Sequence, residues 1–219
     1  MKLIKKTKLK GKFERYDLEV ENTHNFVVEG IVAHNSNIRL GYGPRDNYEE
    51  NPGFILMAGS HNARRKEGDN KYWNLFREHP KLKILLGQLL VHVSNPQYSS
   101  VIIFGELYGI GVNDMQYDAT VKPMFRAFDI CVDGTYMGYE KYKLFETYDI
   151  PHVPILYKGP YDPEIVKELT DGDTTLGSKQ KFTGREGIVI TAEPSSVNTL
   201  GRRRILKSVS VDYLDRKGC

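Results

Sequence analysis

Two cysteines in 219 residues, Cys131 and the terminal Cys219, cannot build a disulfide framework. Such usage points to a reducing, cytoplasmic setting. No run approaches the ~18 to 20 apolar residues of a membrane helix, and the lysine-rich start, Met1 to Lys12, lacks an apolar stretch of signal-peptide length. An excess of one sign of charge is missing too: 31 basic and 28 acidic residues leave a net charge of +3, without a basic tail or long charge block. That balance permits nucleic-acid contact without arguing for it. Repeats and low-complexity tracts are missing. What is present is core material, 40% hydrophobic and 11% aromatic residues, in a length that allows one medium domain plus a small extra unit.

The chain reads as two unlike parts. In the first, Tyr16 to Val20, Phe26 to Val28 and Ile31 to Ala33 are short β-type runs, with Glu29-Gly30 the clearest turn. Residues 1–35 are too few to bury a core alone. From Ser36 onward the pattern changes. Ile38 to Gly41 and Phe54 to Ala58 read as strands, and Lys71 to Val93, broken at Pro80, as helix, turn, helix. Val101 to Phe104, Phe125 to Val132 and Ile188 to Thr191 are β-rich. Tyr139 to Thr147 and Pro163 to Leu169 look helical, the second with proline in its first turn. Asp171 to Thr183 is polar and reads as a loop, and Arg202 to Val211 as a basic terminal strand. The sum is an α+β chain that leans towards antiparallel sheet.

The bond between Asn35 and Ser36 carries the first chemistry. Asn35 can attack its own backbone carbonyl and cleave the chain after itself. His34 stands beside it, with a pKa suited to moving protons near neutrality. Ser36 offers a hydroxyl that can take over an acyl group, given a neighbouring base. With Tyr16-Asp17-Leu18 through His24-Asn25-Phe26, and Gly30 through His34-Asn35 followed by Ser36, the stretch resembles the C-terminal end of an intein, a self-splicing element of the Hedgehog/intein fold. The resemblance implies that Asn35 cyclises to a succinimide and that His34 assists. It makes His24 a second proton-moving histidine, Asp17 an orienting or protonating group, and Ser36 the first residue of the host protein. An intein also needs an upstream part with its own nucleophile. The segment is therefore expected to be the C-terminal half of a split intein, or else a truncated gene fragment. Lys5, Lys6, Lys8, Lys10 and Lys12 are solvated strand residues, or a charge zipper for an acidic partner half.

Residues 36–219 carry a second set of motifs. Phe104-Gly105-Glu106-Leu107-Tyr108-Gly109 delivers a carboxylate flanked by glycines at the end of an apolar run, where glycine allows close approach of a ligand. Phe128-Asp129-Ile130, Glu186-Gly187-Ile188-Val189-Ile190 and Leu206-Lys207-Ser208-Val209-Ser210 follow in order. In this order they resemble the nick-sealing ATP-dependent RNA ligases, within the lysine-dependent nucleotidyltransferases. The resemblance covers nearly the whole segment and implies an antiparallel-sheet nucleotidyltransferase domain of ATP-grasp-like ligase type. Its first motif is Lys-x-x-Gly, often followed by Ser or Thr and then Asn. Here only Ser36-Asn37 remains, so the acceptor lysine is expected at the end of an upstream host half. Lys8-Leu9-Lys10-Gly11 has that spacing by chance, with no Ser/Thr-Asn after it.

By the same resemblance Asn37 and Glu106 bind nucleotide, Glu106 through the ribose hydroxyls. Phe128 stacks on the base, with Phe125 as substitute. An arginine near the site is either Arg64 or Arg65. Glu186 organises a magnesium ion and Lys207 neutralises phosphate charge. Relatives often carry a second lysine where Val209 stands, which leaves the role of Arg202 to Arg204 open between a share in that lysine's work, nucleic-acid contact and plain solvation. The expected whole is a precursor half that splices in trans to complete an ATP-dependent RNA ligase. Its expected cofactors are ATP and Mg2+, its partners the N-terminal intein half with the upstream ligase segment and an RNA substrate, and no membrane. The rivals are a DNA ligase or capping-type enzyme, and a non-catalytic nucleic-acid-binding remnant. The motif at Lys207 lies close to the end of the chain, which fits a short or truncated ligase.

Overall fold

The computed structural model describes residues 37–97, 99–112, 117–176, 184–193 and 203–216, together with the backbone of 26–28 and 31–33. The expected runs at 26–28 and 31–33 are strands β1 (Phe26–Val28) and β2 (Ile31–Ala33), an antiparallel pair with Phe26 opposite Ala33. Tyr16 to Val20, and with it Asp17, His24, His34, Asn35 and Ser36, lies outside the described residues.

Strands β3 (Asn37–Pro44), β4 (Phe54–Ser60), β5 (Val101–Tyr108), β6 (Met124–Val132) and β7 (Thr135–Tyr136) form a five-stranded antiparallel sheet in the order β4-β3-β5-β6-β7. Alternation along β3 and β5 divides the sheet into two faces. Ile38 and Leu40 share the inner face with Ile103, Leu107, Phe125 and Ile130, all almost fully buried. Helices α1 (Lys71–Glu78) and α2 (Lys81–Leu89) cover that face with Trp73, Leu75, Phe76, Leu82, Leu85, Leu86 and Leu89. Asn70 starts α1, its side chain accepting from the Tyr72 and Trp73 amides at 3.1 and 3.2 Å. Helix α3 (Glu140–Thr147) adds Phe145 to the same core.

A smaller unit follows. Helix α4 (Pro163–Thr170), with Asp162 as cap and proline in its first turn, packs on the two-stranded sheet of β8 (Gly187–Thr191) and β9 (Ile205–Val209).

The structure alters several sequence-level boundaries. Strand β5 runs on from Phe104 to Tyr108, which places Glu106 inside the sheet rather than after it. Strand β7 was not expected. Its signal was Asp133-Gly134, whose φ values of 52° and 76° suit a tight two-residue hairpin. The terminal strand stops at Val209. Ser210 then ends it by capping helix α5 (Val211–Arg216), accepting from the Tyr213 amide at 3.1 Å while donating to the Arg185 carbonyl at 2.7 Å. Phe125 is 1% exposed on the helix-covered face, so it is core and not a substitute for Phe128. Phe125→Ala is expected to cost about 3–5 kcal/mol of stability in urea unfolding. Phe128→Ala, at a half-buried position, should cost less than half as much.

Candidate active site

The outer face of the large sheet carries polar groups in register. Asn37 stands opposite Glu106, and Glu106 opposite Arg126, across β3, β5 and β6. One step along, Arg39, Phe104 and Asp129 form a second row. Between the rows the pairing slips: Phe104 faces Asp129 while Gly105 faces Ala127, so Phe128 is the extra residue of a β-bulge. The slip sets Phe128 beside Gly105, the glycine preceding Glu106. A Cβ on Gly105 would run into the Phe125 ring and the Arg126 carbonyl, so glycine here is a packing requirement. Glu106 and Phe128 therefore sit on neighbouring strands at one level of the sheet.

Arg126 is held at every donor position it uses. Its Nε donates to the Tyr108 hydroxyl at 3.0 Å, one terminal nitrogen to the His152 carbonyl at 3.0 Å, and the other to Asp118 at 3.1 Å. Tyr108 in turn donates to Asp118 at 2.7 Å. Burial first, and then the hydrogen bond to Asp118, push the Tyr108 phenol up to about 12, against the opposing pull of Arg126. On the other side of the face, Arg39 lies over the Phe104 ring at 5.5 Å and bonds Nδ1 of His61 at 2.7 Å. Because a guanidinium only donates, Nδ1 is the acceptor there and the imidazole proton sits on Nε2.

Glu186 and Lys207 meet in the smaller sheet, with Oε1 and Nζ 3.7 Å apart. Gly187 enables this approach. Its φ is 147°, and a Cβ there would collide with the Ser208 carbonyl of the facing strand. Val189 lies directly opposite Lys207. Arg203 belongs to neither sheet's strands, yet it reaches the large sheet, donating to Asp129 and lying over the Tyr136 ring at 4.4 Å. Lys141 of α3 also donates to Asp129, at 3.0 Å. So Asn37, Glu106 and Phe128 share one sheet, Lys207 lies in another with Glu186 at its edge just ahead of β8, and Arg203 joins them.

Arg64 and Arg65 lie at the β4 edge. Arg64 pairs with Asp46 at 3.5 Å, and Arg65 lies over the Tyr72 ring at 5.5 Å. Both border an open cavity of about 600 Å³ with Leu56 and Trp73, lined by none of the other expected site residues. The arginine that reaches the polar face from this side is Arg39, which the sequence reading passed over. Its signal was a charge alternating with apolar residues in Asn37-Ile38-Arg39-Leu40. Arg126 and Asp129 gave the same signal inside the apolar run from Met124 to Val132. The Asp129 partners, Lys141 and Arg203, are distant in sequence and left no local trace.

A protein-family profile described as RNA ligase matches residues 21–209. No curated protein matches the sequence. Among solved structures, Naegleria gruberi RNA ligase with PPi is similar at a TM-score of 0.55 and 19% identity, over 84% of this chain and 50% of that one. A variant of that ligase with ATP and Mn is similar at a TM-score of 0.57 and 16% identity, over 93% of this chain and 59% of that one. The chain thus spans about half the length of the first of these structures, and identities this low speak to the fold alone.

Tyr108 offers a pH test of the polar network. An unfolded tyrosine titrates near 10, and the folded phenol near 12. The folded state therefore holds this proton more tightly, and the stability it contributes is complete below pH 10. It is lost as pH rises from 10 towards 12, at up to about 1.4 kcal/mol per unit. Urea unfolding across this range should show the wild type converging on Tyr108→Phe, which lacks the titrating group.

Proposed function

This chain belongs to the RNA ligase family, and on that premise we propose that residues 36–219 form the nucleotide-gripping part of an ATP-dependent RNA ligase. The acceptor lysine is contributed by a segment upstream of Ser36. The observation that carries this reading is the placement of Glu106, Asn37 and Phe128 at one level of the sheet, with the Glu186–Lys207 pair on the smaller sheet tied to it. Glu106 would accept the two ribose hydroxyls of AMP. Phe128 would stack on the base, at roughly 1–3 kcal/mol. Lys207 would lie against the phosphates, drawing charge from them as the lysine nitrogen attacks and pyrophosphate leaves. The AMP would then pass to a 5′-phosphate of RNA, and a 3′-hydroxyl would displace it to close the phosphodiester. The ligases similar in fold were solved with ATP and Mn, which supports this cofactor choice.

Among the described residues no group of three or more His, Cys, Asp or Glu side chains is placed to cage a metal ion. One carboxylate, Glu186, stands beside the proposed phosphate site. That donor set fits magnesium, which is commonly held by one or two carboxylates together with substrate phosphates. When bound, the ion would neutralise charge on the phosphates. Glu186 itself is kept in place by its backbone, whose carbonyl accepts from the Ser210 amide at 2.9 Å.

The same proposal includes trans-splicing at Asn35–Ser36. Its support is the residue pattern of Asp17, His24, His34, Asn35 and Ser36. One observation favours a second reading. The family match starts at residue 21, ahead of Ser36, which would make residues 21–35 part of the ligase domain itself.

Two experiments decide between these readings. Incubated with radiolabelled ATP and magnesium, the chain alone should form no AMP adduct, whereas protein joined to an upstream segment ending in Lys-x-x-Gly should form one. In the joined protein, Phe128→Ala should lower adduct formation by about 10- to 100-fold, in line with the loss of 1–3 kcal/mol per base stack, and Glu106→Ala should lower it through loss of the ribose contact. Full activity in both variants would remove the site assignment. Mixed with a matching N-terminal intein half, the wild type should lose residues 1–35 and gain a Gly-Ser-Asn junction visible by mass spectrometry, and Asn35→Ala should stop release of the intein. Retention of residues 21–35 in an active ligase would support the second reading.

A further inference from the structure

The carboxylate of Asp129 carries two cations where one would balance it. Lys141 already donates to it at 3.0 Å, and the two side chains are only 3% and 5% exposed. Arg203 then adds a forked contact to both oxygens, its second nitrogen 3.4 Å from Oδ1. Charge balance in the core does not need this arginine. What Arg203 supplies is connection, because Asp129 is in β6, Lys141 in α3, and Arg203 in the segment that leads into β9.

The geometry of that connection is directional. A guanidinium that forks onto a carboxylate while lying over an aromatic ring has little freedom to rotate. Arg203 does both, with the Tyr136 ring 4.4 Å away, and Tyr136 is itself 5.6 Å from the ring of Phe104 in β5. Near Arg203 a second contact runs the same way: the Glu193 carboxylate, just past β8, accepts from the Tyr139 amide at 2.7 Å. The other end of the β8–β9 hairpin is tied to its own small unit, through Ser208 and Thr170 at 2.8 Å and the Arg185 contacts with Gly172 and Asp173. From Arg203 to Lys207 the chain runs about 13 Å at roughly 3.3 Å per residue. A shift at the clasp would therefore carry Lys207 and its partner Glu186 with it.

We propose that Arg203 is a positioning residue, a clasp that seats the β8–β9 hairpin with Glu186 and Lys207 against the sheet that carries Glu106 and Phe128. The inference rests on the ligase reading for what those residues grip, an adenine nucleotide. It assigns to Arg203 neither contact with RNA nor simple solvation.

The test uses Arg203→Gln and Arg203→Lys, both of which leave the Asp129–Lys141 pair in place. In hydrogen–deuterium exchange, the glutamine variant should exchange about tenfold faster at 187–191 and 205–209 and be unchanged at 101–108 and 124–132, the pattern of local rather than global opening. In protein joined to its upstream segment, KM for ATP in AMP transfer should rise by roughly tenfold or more, since misplacement of about 1 Å can cost 100-fold. Arg203→Lys, which keeps the charge but not the fork, should recover part of both effects. If Arg203→Gln fails to fold, Tyr136→Leu removes the ring beneath the guanidinium and should give the same local pattern in milder form. Unchanged exchange in the hairpin overturns the clasp, and altered exchange with unchanged KM overturns its positioning role. If wild-type joined protein transfers no AMP, the ligase reading fails and takes the positioning role with it, while the exchange result still shows whether the clasp exists.

Discussion

One extra residue in β6 sets the geometry on which the rest of the site depends. Strand side chains alternate with a period of 2, so an uninterrupted β6 would place Phe125, Ala127 and Asp129 on one face. The bulge at Phe128 breaks that alternation. Before it, Phe125 and Ala127 point into the core and Arg126 points out. After it, Ile130 takes the core position, at 0% exposed, and Asp129 moves to the polar face opposite Phe104. Without the shift a carboxylate would enter the apolar layer and an isoleucine would leave it. The aromatic at the bulge is also the residue free of strict pairing, so it can adjust to what lies beside Glu106.

The polar face that results is bound together by charge rather than by apolar packing. Desolvating ions costs several kcal/mol each, repaid only where geometry and hydrogen bonding are good. Asp129, Lys141 and Arg203 meet that condition, each within hydrogen-bond reach of its partner. Arg126 meets it differently, by using its whole fork on Tyr108, Asp118 and the His152 carbonyl. An arginine so committed fixes the strand next to Glu106. The two arginines divide the work: Arg126 stiffens one sheet, and Arg203 joins two.

What the sequence revealed and what it hid follow from range. Helix caps and stops are local, so Pro80 and Pro163 marked their helices, and Ser210 and Asp133-Gly134 could have marked α5 and β7. Glu106, Phe128, Glu186 and Lys207 stood out in the sequence because each sits in a short pattern with its own signature, and the structure brings Glu106 level with Phe128 and Glu186 next to Lys207. The choice between Phe125 and Phe128 was not, since both are aromatic residues in an apolar run and only the bulge separates them. Arg64 and Arg65 were singled out by their place in the motif order, whereas Arg39 reaches the polar face from within a strand. Arg203 lies 74 residues from Asp129, and no local rule could have paired them.

The position of Asn37 adds a constraint on how such a site can be divided between chains. Asn37 opens β3 directly opposite Glu106, so on the proposed reading an upstream segment joined to Ser36 would enter the sheet beside the ribose site. A Lys-x-x-Gly segment ending at Ser36 would place its lysine five residues before Asn37, at most about 18 Å away in an extended chain. On the proposed reading, a turn at the glycine would bring it closer to the phosphates of a nucleotide held by Glu106 and Phe128. A detached lysine half could not hold this distance, because losing the covalent link gives up the effective concentration that orientation provides, up to 10⁵–10⁸ M in well-oriented cases. On the proposed reading, rejoining the backbone at Ser36 is therefore what makes the catalytic site. On that reading, an interruption at this bond, rather than in a surface loop, would separate the acceptor lysine from the residues that grip the nucleotide.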